Sequence, residues 1–459
     1  MERLASCSKL LNSCGYASVV LGGVVLLLLR WLFRLRRQRH VHLPPGPCAL
    51  PLLGNLHQID KQAPFKTLTK WSGVYGPVMT VYLGPQRAVV LVGYEAVKEA
   101  LVDQAEDFTG RAPVPFLVLV TRGYGLAISN GECWRHLRRF TLTTLRDFGM
   151  GRKRMEEWIQ EESQHLIDSL DSTKTVPFDP HPFPSRTVSP SPCGQLYNIF
   201  PWLMERLPGR QQVVFGQVDE LRGFVMKKIH EHQETIDPGN PRDFIDCFLT
   251  RLNQEKDVSS SEFHYENLVS TVLDLFLAGT ETTSTTLRYA FMLLLKYPDI
   301  QEHRVPQMED RKSLPFTEAV IHEVHRFLDI VPLNLPHYAT KNISFRGYTI
   351  PQGTVILPML HSVLRDQDHW ATPTTFNPNH FLDQNGNFQR KPAFLGFSAG
   401  KRACVGESLA RMEIFLFLVS LLQHFSFSCP GGPDSIDLSP EFSSFTNVPR
   451  HYQLIATPR

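Results

Sequence analysis

The sequence lacks several patterns that would assign it to common functional classes. Its eight cysteines include no Cys-x-x-Cys pair, so neither a zinc site nor a disulfide framework is indicated, and a reducing compartment fits best. It contains no Gly-x-Gly-x-x-Gly run, so we expect no nicotinamide or flavin domain within the chain. The formal net charge is only +2, and no internal repeat occurs, so nothing global favours nucleic acid.

What is present is enough material for a large folded body. The chain has 459 residues, which allows one large domain or two to three average ones. A hydrophobic content of 42% can form a sizeable core, and 20% charged residues suits a soluble surface.

The first residues predict a membrane anchor. Residues 10–29 carry no charge, and a span of ~20 apolar residues can cross a bilayer. Five arginines follow within residues 30–39, and the next acidic residue is Asp60, which places the body on the cytosolic side. A cleaved signal peptide is the alternative, but its charges would precede the apolar run. We therefore predict an anchor at 1–29, a basic, proline-rich hinge at 30–47 and a catalytic body at 48–459.

The chain is organised around residues 397–406, which read FSAGKRACVG and precede an apolar run with helical spacing at 409–425. Gly400 and Gly406 permit backbone conformations that a Cβ would forbid. Backbone N–H groups at the start of the next helix favour a thiolate at Cys404, which is a suitable axial ligand for haem iron. Arg402 could neutralise a haem propionate. The alternative is that Cys404 is a small buried hydrophobe.

The pattern Phe-x-x-Gly-x-Arg-x-Cys-x-Gly resembles the signature of the cytochrome P-450 superfamily. The chain is most similar to the microsomal family-2 type, in a fish-like subfamily. The resemblance implies a mainly α-helical fold with small β-sheets, heme b (iron protoporphyrin IX) ligated by Cys404, and an endoplasmic reticulum membrane location. It implies a monooxygenase that hydroxylates fatty acids, steroids or xenobiotics. Electrons would come from NADPH-cytochrome reductase, with cytochrome b5 as a further partner.

A long helix is predicted over residues 267–297, with seven consecutive polar residues at 280–286 between two apolar halves. Polar side chains inside a buried helix need a reason, and their oxygens can open the helix locally. A kink or a wet cavity is one explanation. The other follows from the resemblance, in which Thr282 hydrogen-bonds dioxygen at the iron and Glu281 helps to relay protons.

Further site residues are implied by the resemblance. Trp134 and Arg138 lie four apart on one helix face and would bind a haem propionate. The implied cofactor-binding set is Arg111, Trp134, Arg138, His337, Arg402 and Cys404. The implied support for the haem loop is Glu323, Arg326 and His380, where His380 replaces the commoner arginine. The implied pocket residues are Phe276, Ala278, Val331, Leu333 and Phe445.

Two stretches depart from the family pattern. Residues 177–192 hold six prolines, so no helix can pass there, and residues 301–306 are short of the expected helix. We interpret these as apparent deletions near 177–193 and 301–306. They leave open a catalytically impaired splice form or pseudoenzyme, and a haem-thiolate isomerase or dehydratase is a third reading. The basic residues Arg135, Arg139 and Arg146, with those at 152–154, are either a solvated helix face or the docking surface for an acidic electron donor.

Overall fold

The structure, a computed structural model, describes residues 42–148, 153–180, 197–302, 314–443 and 446–459. The predicted anchor, the hinge up to residue 41, Phe445 and most of both apparent deletion sites lie outside these residues. Among the described helices, none is both long enough and apolar enough to cross a membrane. The fold is mainly helical with small sheets, which confirms the predicted class.

The helices are numbered here in chain order. They are α1 (Pro64–Tyr75), α2 (Tyr94–Lys98), α3 (Pro115–Thr121), α4 (Gly131–Asp147), α5 (Lys153–Asp171), α6 (Pro201–Met204), α7 (Arg210–Thr235), α8 (Phe244–Gln254), α9 (Tyr265–Lys296), α10 (Asp299–Glu302), α11 (Pro315–Leu328), α12 (Leu360–Leu364) and α13 (Glu407–His424). A π-helical turn, Glu99–Asp103, extends α2, and 3-10 turns lie at Pro378–Phe381, Gly400–Arg402 and Pro433–Ser435.

The strands form one four-stranded sheet and three two-stranded ones. In chain order they are β1 (Val78–Leu83), β2 (Gln86–Leu91), β3 (His337–Tyr338), β4 (Ile343–Phe345), β5 (Tyr348–Ile350), β6 (Val355–Pro358), β7 (Phe425–Ser428), β8 (Glu441–Ser443), β9 (Thr446–Val448) and β10 (Ile455–Pro458). The larger sheet has the order β1-β2-β6-β3. Strands β1 and β2 form a hairpin, pairing antiparallel across a turn at Gly84, and β2 pairs parallel with β6.

Helix α9 is the axis of the helical part, and its 32 residues span about 48 Å at ~1.5 Å per residue. The N-terminal half packs Leu268, Val269 and Leu273 against α4, α7 and α8. The C-terminal half, residues 289–295, packs against α11 and α13 in the largest apolar cluster. Because both halves are buried, the polar block between them is held at a fixed place inside the body.

The described end of the proline-rich hinge is attached to the sheet. Thr80 in β1 donates its hydroxyl to the carbonyl oxygen of Pro44 at 2.8 Å and its amide to Pro45 at 2.8 Å. A Cβ on Gly46 would lie 1.9 Å from the carbonyl oxygen of Thr80, so only glycine allows this close approach. Residues 44–46 therefore pack as part of the body.

Candidate active site

The loop before α13 presents Cys404. The amide of Cys404 donates to the carbonyl oxygen of Phe397 at 2.9 Å, which closes the loop around the Gly400–Arg402 turn. Gly400 has φ +70°, and a Cβ there would lie 1.7 Å from the carbonyl oxygen of Leu101. Gly400 therefore adopts a conformation that a Cβ would forbid, as predicted. The same expectation does not hold for Gly406, since its φ is −94° and a Cβ would find space, with the nearest atom, the Cys404 sulfur, 3.9 Å away.

The thiol of Cys404 is accessible to solvent just before α13 begins. Desolvation raises the pKa of the thiol, and the amides of Gly406 and Glu407, which bond to the sulfur, partly offset this. These amides favour a thiolate, but in the chain alone the desolvation cost is larger than their contribution. A bound metal cation ionises a coordinating thiol outright.

The polar block of α9 does not break the helix. Thr282 donates its hydroxyl to Ala278 O at 2.7 Å, and Thr286 donates to Thr282 O at 2.7 Å, so these side chains bond within an intact α-helix. These side-chain bonds do not open the helix. Phe276, Ala278, Gly279 and Thr280 are exposed between the two buried halves. The middle of α9 is therefore accessible to solvent on one side.

Two carboxylates accompany this block. Burial raises the pKa of Glu281, while the positive charge of Arg288 acts in the opposite direction. Burial also raises the pKa of Glu413 in α13, whose Oε2 accepts a hydrogen bond from Thr283 at 3.2 Å. Sequence reasoning did not single out Glu413, although it lies nine residues after Cys404, on the helix that follows the loop. Both acids are suited to hold a proton.

Three guanidinium groups gather beside the Cys404 loop. Arg402 stacks on Trp134 with 3.9 Å between the guanidinium carbon and the ring centroid, and Arg138 lies 5.9 Å from the same centroid. Arg402 donates to Ser129 O at 2.7 Å, Arg138 to Ala403 O at 2.6 Å, and Arg111 to Leu335 O at 2.6 Å. Among the described residues their acceptors are backbone carbonyls and one side-chain amide, and no carboxylate pairs with them.

The three side chains Arg111, Arg138 and Arg402, the guanidinium cluster, place positive charges close together, and a bound anion would stabilise them. Burial and the neighbouring arginines lower the pKa of Arg402 to about 8 and that of Arg111 to about 10. His337 bonds through Nδ1 to the carbonyl oxygen of Phe108, and burial puts its pKa well below the usual range. Nε1 of Trp134, Nε of Arg111 and Nε2 of His337 are buried without partners in the described structure. Buried cations and unpaired polar atoms are costly unless a ligand satisfies them.

Glu323, Arg326 and His380 are brought together behind the loop. Glu323 and Arg326 form a bidentate pair with two distances of 2.7 Å, and both are fully buried. His380 lies 3.2 Å from both Glu323 carboxylate oxygens. Arg326 also donates to the carbonyl oxygens of Leu364, Pro373 and Thr375 at 2.8 to 2.9 Å. The trio thus joins α11 to the segment 364–380.

The predicted pocket residues differ in their exposure and in the elements that carry them. Phe276 and Ala278 lie on the exposed middle of α9. Val331 and Leu333 are half-buried in the segment after α11, and Leu333 packs against the cluster formed by α1, β1 and β2. Phe445 lies outside the described residues. The structure therefore exposes two of these residues, Phe276 and Ala278, on the middle of α9.

The donor set fits haem. The described residues include an accessible cysteine sulfur, a helix with Phe276 and Ala278 exposed at its middle, and a guanidinium cluster that no described carboxylate pairs with. Haem carries an iron that accepts a thiolate and two propionates that accept charge-assisted hydrogen bonds. These features define a haem-thiolate protein.

Comparisons with known proteins identify the family. The sequence profile described as Cytochrome P450 matches residues 44–193 and 185–456. The chain is 46% identical over 462 residues to cytochrome P450 2F3 of Capra hircus, covering 91% of this chain and 94% of that protein. It is 44% identical over 485 residues to cytochrome P450 2A13 of Homo sapiens, covering 96% and 98%. It is 43% identical over 480 residues to cytochrome P450 2G1 of Oryctolagus cuniculus, covering 95% and 97%. The chain belongs to the cytochrome P450 family, so it is a haem-dependent monooxygenase of that type.

Asp274 is a buried carboxylate that sequence reasoning missed. It lies on α9, and its Oδ2 accepts hydrogen bonds from the amides of Leu126 and Ala127 at 2.7 and 2.9 Å. Burial raises its pKa to about 7. A single acidic residue inside the apolar half of the predicted helix was the available signal. It fastens the loop that ends at Ser129 and Asn130, which bond to Arg402.

We expect Asp274→Asn to flatten the pH dependence of stability. The folded state keeps the Asp274 proton up to about pH 7, whereas an unfolded aspartate loses it near pH ~3.9. The free energy of unfolding of the unsubstituted protein therefore falls as pH rises from about 4 to about 7, by up to roughly 3–4 kcal/mol from this group. Denaturant unfolding at pH 5 and pH 8 measures the difference. Asp103→Asn, at an exposed site, is the control, and an unchanged slope in Asp274→Asn contradicts the expectation.

Proposed function

We propose that this P450 hydroxylates lipophilic small molecules such as fatty acids, steroids or xenobiotics. The single observation that carries the proposal is that Phe276 and Ala278, at the middle of α9, and the sulfur of Cys404 are all exposed in an otherwise buried part of the fold. Phe276 and Ala278 give this surface an apolar character that suits a hydrocarbon substrate. The cofactor in this proposal is heme b, with its propionates on Arg111, Arg138 and Arg402, Trp134 and His337.

The bound haem supplies the iron centre at which dioxygen is activated and one oxygen atom is inserted into the substrate. In this proposal the chain supplies the sulfur ligand and the protons. Thr282 donates its hydroxyl hydrogen to Ala278 O at 2.7 Å, so its oxygen lone pairs can accept a hydrogen bond from the exposed side of α9. Glu281, with its raised pKa, is the neighbouring acid that holds a proton for this site.

Thr282→Ala should uncouple oxygen consumption from product formation. The substitution removes the hydroxyl and leaves the haem site intact, so we expect NADPH and oxygen consumption to continue. The product formed per oxygen should fall about tenfold or more, because the hydroxyl that positions the proton supply is lost. Oxygen electrode, peroxide and product measurements on one reconstituted sample give the ratio.

Thr286→Ala is the matched control. Its hydroxyl makes the same bond to the carbonyl four residues earlier, to Thr282 O at 2.7 Å, but it is buried, with 2% exposed. Loss of coupling in both variants to the same degree would mean that helix geometry, and not the Thr282 hydroxyl, is responsible.

For electron supply we propose NADPH-cytochrome reductase, with cytochrome b5 as a second donor. Arg135, Arg139 and Arg146 are exposed along α4, the helix that carries Trp134 and Arg138. A positive surface of this kind favours fast association with an acidic partner. We also propose an endoplasmic reticulum membrane location with the body on the cytosolic side, supported by the charge-free run at 10–29 and the arginines after it.

A catalytically impaired splice form or pseudoenzyme is the second candidate. It is favoured by the proline-rich stretch at 177–192 and by the two overlapping pieces in which the family profile matches, which meet at residues 185–193. A reduced, carbon monoxide-bound spectrum separates the two proposals. The red-shifted thiolate band together with turnover of a lipid or drug supports the enzyme, whereas a bound haem without turnover of any substrate in a broad panel supports the impaired form.

A further inference from the structure

Asn447 in β9 bonds to three successive carbonyl groups at the end of α11. Its Nδ2 donates to Asp329 O at 2.8 Å and to Leu328 O at 3.4 Å. Its backbone amide donates to Ile330 O at 2.8 Å. The side chain is almost fully buried, with 2% exposed. One residue thus satisfies acceptors that water cannot reach.

These carbonyls need an external partner because the helix ends there. The last carbonyls of a helix have no donor within the helix, and burying them unpaired is costly. Asp329 adopts φ +51°, a left-handed conformation that is uncommon for a residue other than glycine, so the chain leaves α11 in a strained direction. Asn447 therefore fixes the direction in which the segment after α11 departs.

The other end of this segment, residues 329–335, is also fastened. Asn334 has φ +58° and donates through Nδ2 to the hydroxyl of Ser398 in the Cys404 loop at 3.0 Å. Arg111 of the guanidinium cluster donates to Leu335 O at 2.6 Å. The segment is thus attached to β9 at one end and to the Cys404 loop and Arg111 at the other. Val331 and Leu333 lie between these attachments.

We propose that Asn447 is a positioning residue for substrate selection. It fixes the position of the segment 329–335, with Val331 and Leu333, relative to β9. The inference rests on the proposed function, because it assumes that these side chains line the pocket of a P450 acting on lipophilic molecules. A displacement of the segment would change the length and width of that pocket while leaving Cys404 in place.

Two substitutions test the donors of Asn447. Asn447→Asp keeps the shape and removes the N–H groups, and Asn447→Leu removes all polar contacts of the side chain. The matched control is Asn55→Leu, because Asn55 is also fully buried and joins two backbone segments, donating to Cys48 O at 3.1 Å and accepting from Tyr82 N at 2.8 Å. Its loop is separate from the segment 329–335.

Dissociation constants of saturated fatty acids of increasing chain length, from substrate-induced spectral shifts on the full-length haem protein, give a selectivity profile. Hydrogen exchange of the amides at 329–335 is measured on the same samples. We expect both Asn447 variants to keep the thiolate spectrum, to change the affinity ratio of the longest to the shortest ligand at least about tenfold, and to exchange faster at 329–335. We expect Asn55→Leu to be less stable with an unchanged ratio.

An unchanged ratio and unchanged exchange in the Asn447 variants would overturn the inference. A ratio that shifts equally in Asn55→Leu would also overturn it, because the effect would then be one of general destabilisation. Failure of the proposed function has a different signature: the unsubstituted protein itself would give no thiolate band, or no spectral shift with any lipid. In that case the exchange comparison still decides whether Asn447 positions the segment.

Discussion

Cys404→Ser is expected to abolish the thiolate band of the reduced, carbon monoxide-bound protein and to remove turnover. Serine preserves the volume and the loop, including the bond from the residue 404 amide to Phe397 O at 2.9 Å. Its hydroxyl remains protonated near neutral pH and cannot supply the electron density that a sulfur ligand gives to haem iron. The spectrum, the haem-to-protein ratio and product formation measure the result.

Cys48→Ser is the control, because Cys48 is also an exposed, free cysteine. This variant should keep both the band and the activity. A thiolate band that persisted in Cys404→Ser would assign the sulfur ligand to another cysteine and would remove the basis of the proposed site.

Glu323→Ala should destabilise the protein by about 3–5 kcal/mol, which is a large share of the stability of most folded domains. The substitution leaves the fully buried Arg326 without its carboxylate, and it also removes the acceptor for the amide of Asn377 at 2.8 Å. Haem should be lost with the fold, since the segment 364–380 is attached to α11 through these contacts. Chemical unfolding and haem retention measure both effects.

Two further variants make this prediction specific. Asp103→Ala breaks an exposed pair with Lys98, at 3.0 Å, and should cost only about 0–1 kcal/mol. Glu323→Gln retains the shape and removes the charge, so its loss of stability should lie between those of Asp103→Ala and Glu323→Ala. It can still be measured if Glu323→Ala does not accumulate as folded protein. A cost for Glu323→Gln no greater than that for Asp103→Ala would contradict a supporting role for the trio.

The sequence was sufficient for the elements whose signals are local. Helix α9 was predicted at 267–297 and occurs at Tyr265–Lys296, and the helix predicted at 409–425 occurs at Glu407–His424. Apolar spacing and the prolines that end such runs determine both. Gly400 was also predictable, because a glycine two residues before the Arg402 position of the motif indicates a conformation that a side chain would prevent.

Features that depend on distant partners could not be read in this way. The amide donors around Cys404 follow from the sequence, but the cost of desolvating its sulfur is set by the surrounding fold and not by the loop. Asp274 and Asn447 look like ordinary polar residues until the carbonyls and amides they bond to, far away in the chain, are known. The sequence left open whether the polar block kinks α9, and the structure shows that its hydroxyls bond to the preceding turn within an intact helix.

During synthesis, β1 and β2 leave the ribosome long before β6 exists. Their contact with it joins residues such as Arg87 and Thr354, which are 267 positions apart. At about 5–20 residues per second the hairpin would wait on the order of tens of seconds with the edge of β2 unpaired. An exposed strand edge can pair with another chain, so nascent molecules of this protein should depend on chaperones during that interval.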